Sequence, residues 1–132
     1  MQWDLGDIEA DNILWNDGFE VIYDPSEPGT VYGSTQSTRH RSTNGGSTWT
    51  NITPPGDTNN WDASWIMHPT DFDTLYCAWQ DIKRSYDRGN TWTPMNSGFS
   101  SSIRAMAQSK SNPNILYASD RFSLKVTTSA NS

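Results

Sequence analysis

The strongest constraint on this chain is a sequence repeat of 43 or 44 residues. Pro25 and Pro69 are 44 residues apart, and Trp49 and Trp92 are 43 residues apart. A third copy begins near residue 102, and its tyrosine at position 117 matches the tyrosines at positions 32 and 76. A repeated unit of this length cannot bury its apolar surface alone, so neighbouring copies must stack on one another.

Each copy is typical of short β-strands rather than helices. Ser, Thr, Asn, Asp, Gly and Pro recur every few residues and interrupt any apolar stripe of helical period. The apolar share is only 33%, but seven Trp, five Tyr and four Phe supply large pieces of surface to bury. The pattern predicts an all-β fold, namely a partial β-propeller of four-stranded antiparallel blades, with about two and a half to three blades.

The repeat also predicts how one partial propeller domain is laid out over residues 1–132. Residues 1–16 are expected to supply the edge of a preceding blade, 17–55 and 61–97 to form blades, and 100–132 to form a blade cut off before its fourth strand. Strand one is expected at 19–24, 63–68 and 102–108, and strand two at 30–35, 74–79 and 115–119. Strand three is expected at 38–43, 82–86 and 122–127, and strand four at 48–53 and 91–95.

A five-residue pattern marks the turn between strands three and four. It reads Ser42, Asn44, Gly46, Thr48, Trp49 in the first copy and Ser85, Asp87, Gly89, Thr91, Trp92 in the second. An Asn or Asp side chain accepts hydrogen bonds from nearby backbone amides, and Gly takes the positive φ that closes a loop. The Trp begins the outer strand, packs on a sheet and has an indole N–H free to meet a carbonyl. We therefore expect these residues to be structural.

These segments resemble the Asp-box, or BNR, repeat of sialidases, xyloglucan-type glycoside hydrolases, sortilin-like receptors and bacterial secreted propellers. The resemblance covers residues 17–127, and the runs 68–76 and 85–93 are most similar to the sortilin-like propellers. It implies a folding element at the blade periphery, remote from any active site, and a secreted or cell-surface location. Asn44 departs from the pattern, and we expect it to give a somewhat weaker but intact turn. Thr127, Ser129 and Asn131 align with the start of a third box.

The remaining connections, which join strands two to three and blade to blade, lie on the opposite side of a propeller, here called the loop face. Ligand sites are commonly built from such loops. Trp61, Trp79 and Asp17 are candidates for ligand binding there, and Asp62 and Asp81 are weak catalytic candidates. The alternatives are that Trp79 is a packing residue and that both carboxylates cap strand ends.

Charge and composition exclude several functions. A net charge of −6 and a pI near 4.6 argue against a nucleic-acid partner, and the chain has no apolar run long enough for membrane insertion. Cys77 lies in an apolar run and is expected to be buried and unreactive. No His, Cys and Asp grouping has metal-ligand spacing, so we expect neither a metal nor a cofactor.

The preferred function is a non-catalytic propeller segment of a larger secreted or surface protein, acting as a scaffold or binding module for a protein or carbohydrate. The alternative is a fragment of a propeller glycoside hydrolase, xyloglucanase-like or sialidase-like, although the Arg-Ile-Pro signature of sialidases is absent. Glycoside hydrolysis needs two opposed carboxylates, which a few blades do not supply. The expected partners are further blades of the same propeller, and the isolated chain is expected to self-associate through exposed apolar blade faces and an unpaired strand edge near 122–127.

Overall fold

The computed structural model describes residues 18–36, 38–56 and 63–131, which form eleven β-strands in three antiparallel sheets. The first sheet contains β1 (Gly18–Tyr23), β2 (Val31–Thr35), β3 (Thr38–Ser42) and β4 (Thr50–Asn51). The second contains β5 (Trp65–Met67), β6 (Leu75–Ala78), β7 (Ile82–Ser85) and β8 (Thr93–Pro94). The third contains β9 (Ala105–Gln108), β10 (Leu116–Ser119) and β11 (Leu124–Thr127). These ranges contain no helix, and thus none long and apolar enough to cross a membrane.

Within each sheet the strands pair in chain order, as in the blades of a propeller. The all-β prediction is confirmed, and the first three strands of each repeat lie within a few residues of their predicted positions. The fourth strands are shorter than predicted, since β4 and β8 contain two residues each. The preceding residues are instead held by side-chain hydrogen bonds in the turn. The predicted edge strand at 1–16 lies outside the described residues.

The core consists of two layers of side chains, one on each side of the second sheet. Strand β6 alternates between them, because successive side chains point to opposite faces of a sheet. Leu75 and Cys77 pack toward the first sheet, and Tyr76 and Ala78 pack toward the third. The second sheet is therefore covered on both faces.

The exposure of the tyrosine at the same position of each repeat shows how far each sheet is covered. Tyr32 and Tyr76 are 0% exposed beneath the following sheet, whereas Tyr117 in the third sheet is 44% exposed. Beside Tyr117, the side chains of Leu124 and Val126 are also exposed. The outer face of the third sheet is therefore apolar and uncovered by any described residue.

Polar side chains fasten neighbouring sheets at equivalent positions. Arg41 donates to the carbonyl of Arg88 in the second sheet's turn at 2.6 Å, and Arg84 donates to the carbonyl of Ala130 at 2.5 Å. In the reverse direction, Lys83 donates to the carbonyl of Pro55, and Lys125 donates to that of Gly98 at 2.5 Å. The first and second sheets are thus each linked by an arginine to the sheet that follows, and the second and third are each linked by a lysine to the connection that precedes them.

Candidate functional site

The first motif turn, residues 42–49, is closed by the side chains of Ser42 and Asn44. The Ser42 hydroxyl oxygen accepts the backbone N–H of Gly46 at 2.9 Å and donates to Asn44 Oδ1 at 2.9 Å. Asn44 Oδ1 also accepts the backbone N–H of Thr48 at 2.9 Å, and the Asn44 amide donates to the Thr48 hydroxyl at 2.8 Å. Gly46 has a φ of 94°, which side chains with a Cβ rarely adopt.

The second motif turn, residues 85–92, repeats this network with a carboxylate. Ser85 Oγ accepts the backbone N–H of Gly89 at 2.8 Å, and Asp87 Oδ1 accepts that of Thr91 at 2.8 Å. Here the Thr91 hydroxyl donates to Asp87 Oδ2 at 2.6 Å, so the bond runs opposite to its counterpart from Asn44. Burial alone would raise the pKa of Asp87, but the hydrogen bonds from Thr91 and Ser85 outweigh it and lower the pKa.

The third motif turn, residues 127–131, has the start of the same arrangement. Thr127 Oγ1 accepts the backbone N–H of Ser129 at 3.2 Å, and the backbone N–H of Ala130 donates to the carbonyl of Asn114 at 2.9 Å. The bond equivalent to the latter joins Gly45 to Gly29 and Arg88 to Asp73 in the earlier repeats, at 2.9 Å in both. All three turns are therefore anchored to the turn between strands one and two of their own sheet.

Trp92, at the end of the second motif turn, ties the second sheet to the first. Its indole N–H donates to the carbonyl of Ile52 at 2.9 Å. Gly89 lies over the same isoleucine, so a Cβ at this position would come within 2.7 Å of Ile52 Cδ1. The sequence predicts a carbonyl partner for this tryptophan but does not show that it belongs to the preceding repeat.

Asp24 and His68 occupy equivalent turn positions, as their alignment in the repeat predicts. His68 Nδ1 accepts the backbone N–H of Asp71 at 2.9 Å, so the neutral ring carries its proton on Nε2. That N–H donates to Asn131 Oδ1 in the third motif turn at 3.0 Å. The buried Asp24 carboxylate likewise faces Arg88 of the second motif turn at 3.5 Å. Both residues therefore have structural partners in the next repeat.

On the loop face, an open groove of about 470 Å³ lies at the end of the second sheet, lined by Trp79, Gln80, Asp81, Lys83, Asn96 and Phe99. Trp79 is only 1% exposed and packs in the core between the first and second sheets. The Lys83 ammonium lies 5.7 Å from the centroid of its ring. Trp79 therefore offers no open ring face to a sugar, which favours the packing alternative.

Asp81 is held by hydrogen bonds on both carboxylate oxygens. Oδ1 accepts the backbone N–H groups of Ile82 at 2.8 Å and Ser97 at 2.7 Å, and Oδ2 accepts that of Asn96 at 3.0 Å. Burial alone would raise the pKa of Asp81, but these bonds and the Ser97 hydroxyl outweigh it and lower the pKa. A carboxyl group that stays ionised in this way is unsuited to act as a general acid.

Asp120, on the same face, has a similar role that the sequence did not single out. Its Oδ1 accepts the backbone N–H groups of Phe122 at 2.9 Å and Ser123 at 2.7 Å. Burial alone would raise its pKa, but hydrogen bonds from Phe122, Ser123 and Ser101 lower the pKa to about 2. An Asp directly after a strand, with Ser three residues later, is the signal that could have indicated this cap.

Arg39 is a second residue that the sequence did not single out. It is 1% exposed and donates to the carbonyls of Thr38, at 3.1 Å, and Ala63. Its guanidinium carbon lies 5.5 Å from the Trp65 ring centroid. Arg39 therefore fastens the loop-face ends of the first two sheets to each other.

The remaining residues that the sequence analysis considered have different outcomes. Asp17, Trp61 and Asp62 lie outside the described residues. Cys77 is buried as predicted, and burial raises the pKa of its thiol to about 11. Within 18–36, 38–56 and 63–131, no group of three or more His, Cys, Asp or Glu is placed to hold a metal ion.

The three sheets, their chain-order pairing and their face-to-face packing define an all-β propeller-type protein. Solved structures of GH74 enzymes share this fold. An ancestral GH74 enzyme superposes with a TM-score of 0.69 at 18% identity, over 85% of this chain and 17% of that chain. The GH74 enzyme of Niastella koreensis superposes with a TM-score of 0.58 at 25% identity, over 79% of this chain and 16% of that chain. This chain thus spans about a sixth of the length of either enzyme.

No protein-family model matches the chain, and no curated protein matches it.

Proposed function

We propose that this chain is a non-catalytic segment of a larger β-propeller, acting as a scaffold or binding module for a carbohydrate or protein. The observation that carries this proposal is the contrast among the three equivalent tyrosines. Tyr32 and Tyr76 are fully buried by the following sheet, and Tyr117 occupies the same position on an uncovered face. Repeat proteins bury such faces by stacking another repeat, so the third sheet is built to pack against a further blade.

The carboxylates of the described loop face support a non-catalytic role. Asp81 and Asp120 both accept several hydrogen bonds from nearby backbone N–H groups, and both have a lowered pKa. A glycoside hydrolase needs one carboxyl group with a raised pKa as the acid and a second opposite it. The open groove beside Asp81 is therefore better suited to binding than to hydrolysis.

The motif turns are proposed to be Asp boxes of the BNR, sortilin-like type. Their Ser and Asp or Asn side chains accept the backbone N–H groups of the glycine and threonine of the pattern, at 2.8–2.9 Å in both complete turns. From the same resemblance we propose a secreted or cell-surface location. We also propose the domain division given above, with blades at 17–55 and 61–97 and a third at 100–132.

The proposal is tested by sequencing the region that flanks this reading frame and by assaying the chain for binding and turnover. We expect in-frame repeats of the same period outside residues 1–132. We also expect saturable binding of a glycan or peptide by calorimetry, without release of sugar from aryl glycosides or xyloglucan oligosaccharides. The absence of further repeats would contradict the assignment as a propeller segment.

The second candidate is a fragment of a propeller glycoside hydrolase, which the structural similarity to the two GH74 enzymes favours. Turnover by the purified chain would support it. Asp81→Asn separates the two candidates, because a catalytic Asp81 requires turnover to disappear while the fold, followed by circular dichroism, remains.

A further inference from the structure

A groove with a volume of about 230 Å³ lies beside β11, where the second and third sheets meet. Its apolar side chains come from both sides of the groove and include Ile82, Met95, Phe99, Leu116 and Ala118. β11 is the edge strand of its sheet, and no described strand pairs with its outer side. An apolar groove beside an open strand edge is the combination that strand-addition sites use.

The equivalent place between the first and second sheets is filled. There, β8 pairs with β7, and Trp92 just before β8 donates its indole N–H to the carbonyl of Ile52. Met95 takes the position of Ile52 in the next repeat. The backbone N–H of Met95 donates to the carbonyl of Ile82 at 2.8 Å, just as the backbone N–H of Ile52 donates to the carbonyl of Arg39 at 2.8 Å.

We propose that the β11 edge and this groove together bind an extended strand of the type Thr-Trp-Thr, which the chain itself carries at 48–50 and 91–93. The indole occupies the groove and donates to the carbonyl of Met95. The proposal rests on the proposed function, because the bound strand belongs to the same repeat type. To the proposed function, this proposal adds the side chain that is bound, a tryptophan, and the place where it binds, the groove beside β11.

The register of the bound strand follows from the filled site. Thr93, one residue after Trp92, lies opposite Arg84, and Pro94 lies opposite Lys83. Val126 and Lys125 hold the positions of Arg84 and Lys83 in the third sheet. The residue after the bound tryptophan therefore lies opposite Val126, and the next one opposite Lys125.

The dimensions and rim of the groove suit an indole. An apolar cavity of roughly 150 Å³ admits benzene, and this groove has about 230 Å³. At its rim, Lys125 already lies 4.6 Å from the Phe99 ring centroid and donates to the carbonyl of Gly98. Lys83 makes the equivalent hydrogen bond to the carbonyl of Pro55 beside the filled site. The lysine therefore needs no rearrangement when a strand is added.

The test uses a fluorescently labelled peptide with the sequence of residues 88–95 and a matched peptide carrying Trp92→Ala. Binding to the unmodified 132-residue chain is measured by fluorescence anisotropy. Amide hydrogen exchange locates the bound peptide. We expect saturable binding of the tryptophan peptide and slower exchange at 124–127. Because the equivalent Trp92 is half-buried and its indole N–H is hydrogen-bonded, the alanine peptide should bind at least roughly tenfold more weakly.

Equal binding of the two peptides, or binding that leaves exchange at 124–127 unchanged, overturns the proposal. Failure of the proposed function is distinguishable from this result. If the chain still associates through the Tyr117 face while neither peptide binds, the strand site is wrong and the propeller segment stands. If the flanking sequence contains no repeats while the peptide binds, the segment is wrong and the strand site stands.

Discussion

The second and third sheets are built from the same repeat, yet only the second is covered on both faces. Tyr76 is 0% exposed and donates its hydroxyl to the carbonyl of Ala130 at 3.4 Å, whereas Tyr117 at the equivalent position is 44% exposed. Leu75 and Leu116 are both buried toward the preceding sheet. The comparison shows that the third sheet covers the second, so the contribution of a residue to stability depends on the neighbouring sheet as well as on the repeat.

The largest expected difference is between Tyr76→Ala and Tyr117→Ala. Truncating the buried aromatic ring should lower the free energy of unfolding by about 3–5 kcal/mol, and truncating the exposed ring by about 0.5 kcal/mol or less. Urea unfolding of both variants, followed by circular dichroism, measures the difference. Similar losses in the two variants would show that the third sheet is as well covered as the second.

The second-largest difference is expected between the second and third motif turns. Ser85→Ala removes the buried acceptor of the Gly89 N–H and should cost about 1–3 kcal/mol. Thr127→Ala removes two exposed contacts, with the backbone N–H and the hydroxyl of Ser129, and should cost about 0.5 kcal/mol. Thermal unfolding of the pair tests this, and a larger effect at Thr127 would mean that the third turn is the more tightly closed of the two.

The arginine links come third. Arg41→Met should lower the free energy of unfolding by about 1–2 kcal/mol, because it removes a charged donor from the carbonyl of Arg88 while keeping most of the stem. Arg121→Met, at an exposed loop position, is the matched control and should be close to neutral. The midpoints of urea unfolding of the two variants measure the difference. Equal shifts of the midpoint would show that Arg41 does not link the sheets.

The smallest effect is expected from Asp87→Asn, which makes the second motif turn resemble the first. Near neutral pH it should cost about 0.5 kcal/mol, because Asn44 already shows that an amide fits this network. The reciprocal variant, Asn44→Asp, makes the first motif turn resemble the second.

The pH dependence gives Asp87→Asn a distinct signature. The folded-state pKa of Asp87 is lowered, so its carboxylate contributes stability above the unfolded pKa of about 4. That contribution is lost as the pH falls through the folded pKa. Asp87→Asn should therefore lose less stability than the unmodified chain between neutral pH and pH values below about 4, as measured by unfolding at each pH. An unchanged acid dependence would contradict the assigned role of the carboxylate.

The repeat predicts much of this fold, because its turn residues and aromatic landmarks are local signals. Pro25, Pro69 and the Ser-x-Asp/Asn-x-Gly turns place the strands with little reference to distant contacts. The contacts between repeats were not predictable in the same way. Trp92 meets Ile52 and Arg41 meets Arg88 across at least 40 residues of sequence, and an arginine on a short strand is most simply interpreted as solvated.

The candidate site was less predictable than the fold. Trp79 and Asp81 lie at the loop-face end of strand two, where the sequence predicts them, but position alone does not distinguish a ligand contact from a core residue or a cap. The 1% exposure of Trp79 and the backbone N–H groups around Asp81 favour the structural alternatives for both.

The central claim, that the exposed face of the third sheet is built to pack against another blade, is tested most directly by sedimentation velocity of the purified chain over a wide concentration range. The account predicts that the average mass rises with concentration and that Tyr117→Glu with Leu124→Glu abolishes the rise, since both side chains lie on that face. An unmodified chain that remains monomeric at every concentration and melts cooperatively would contradict this claim.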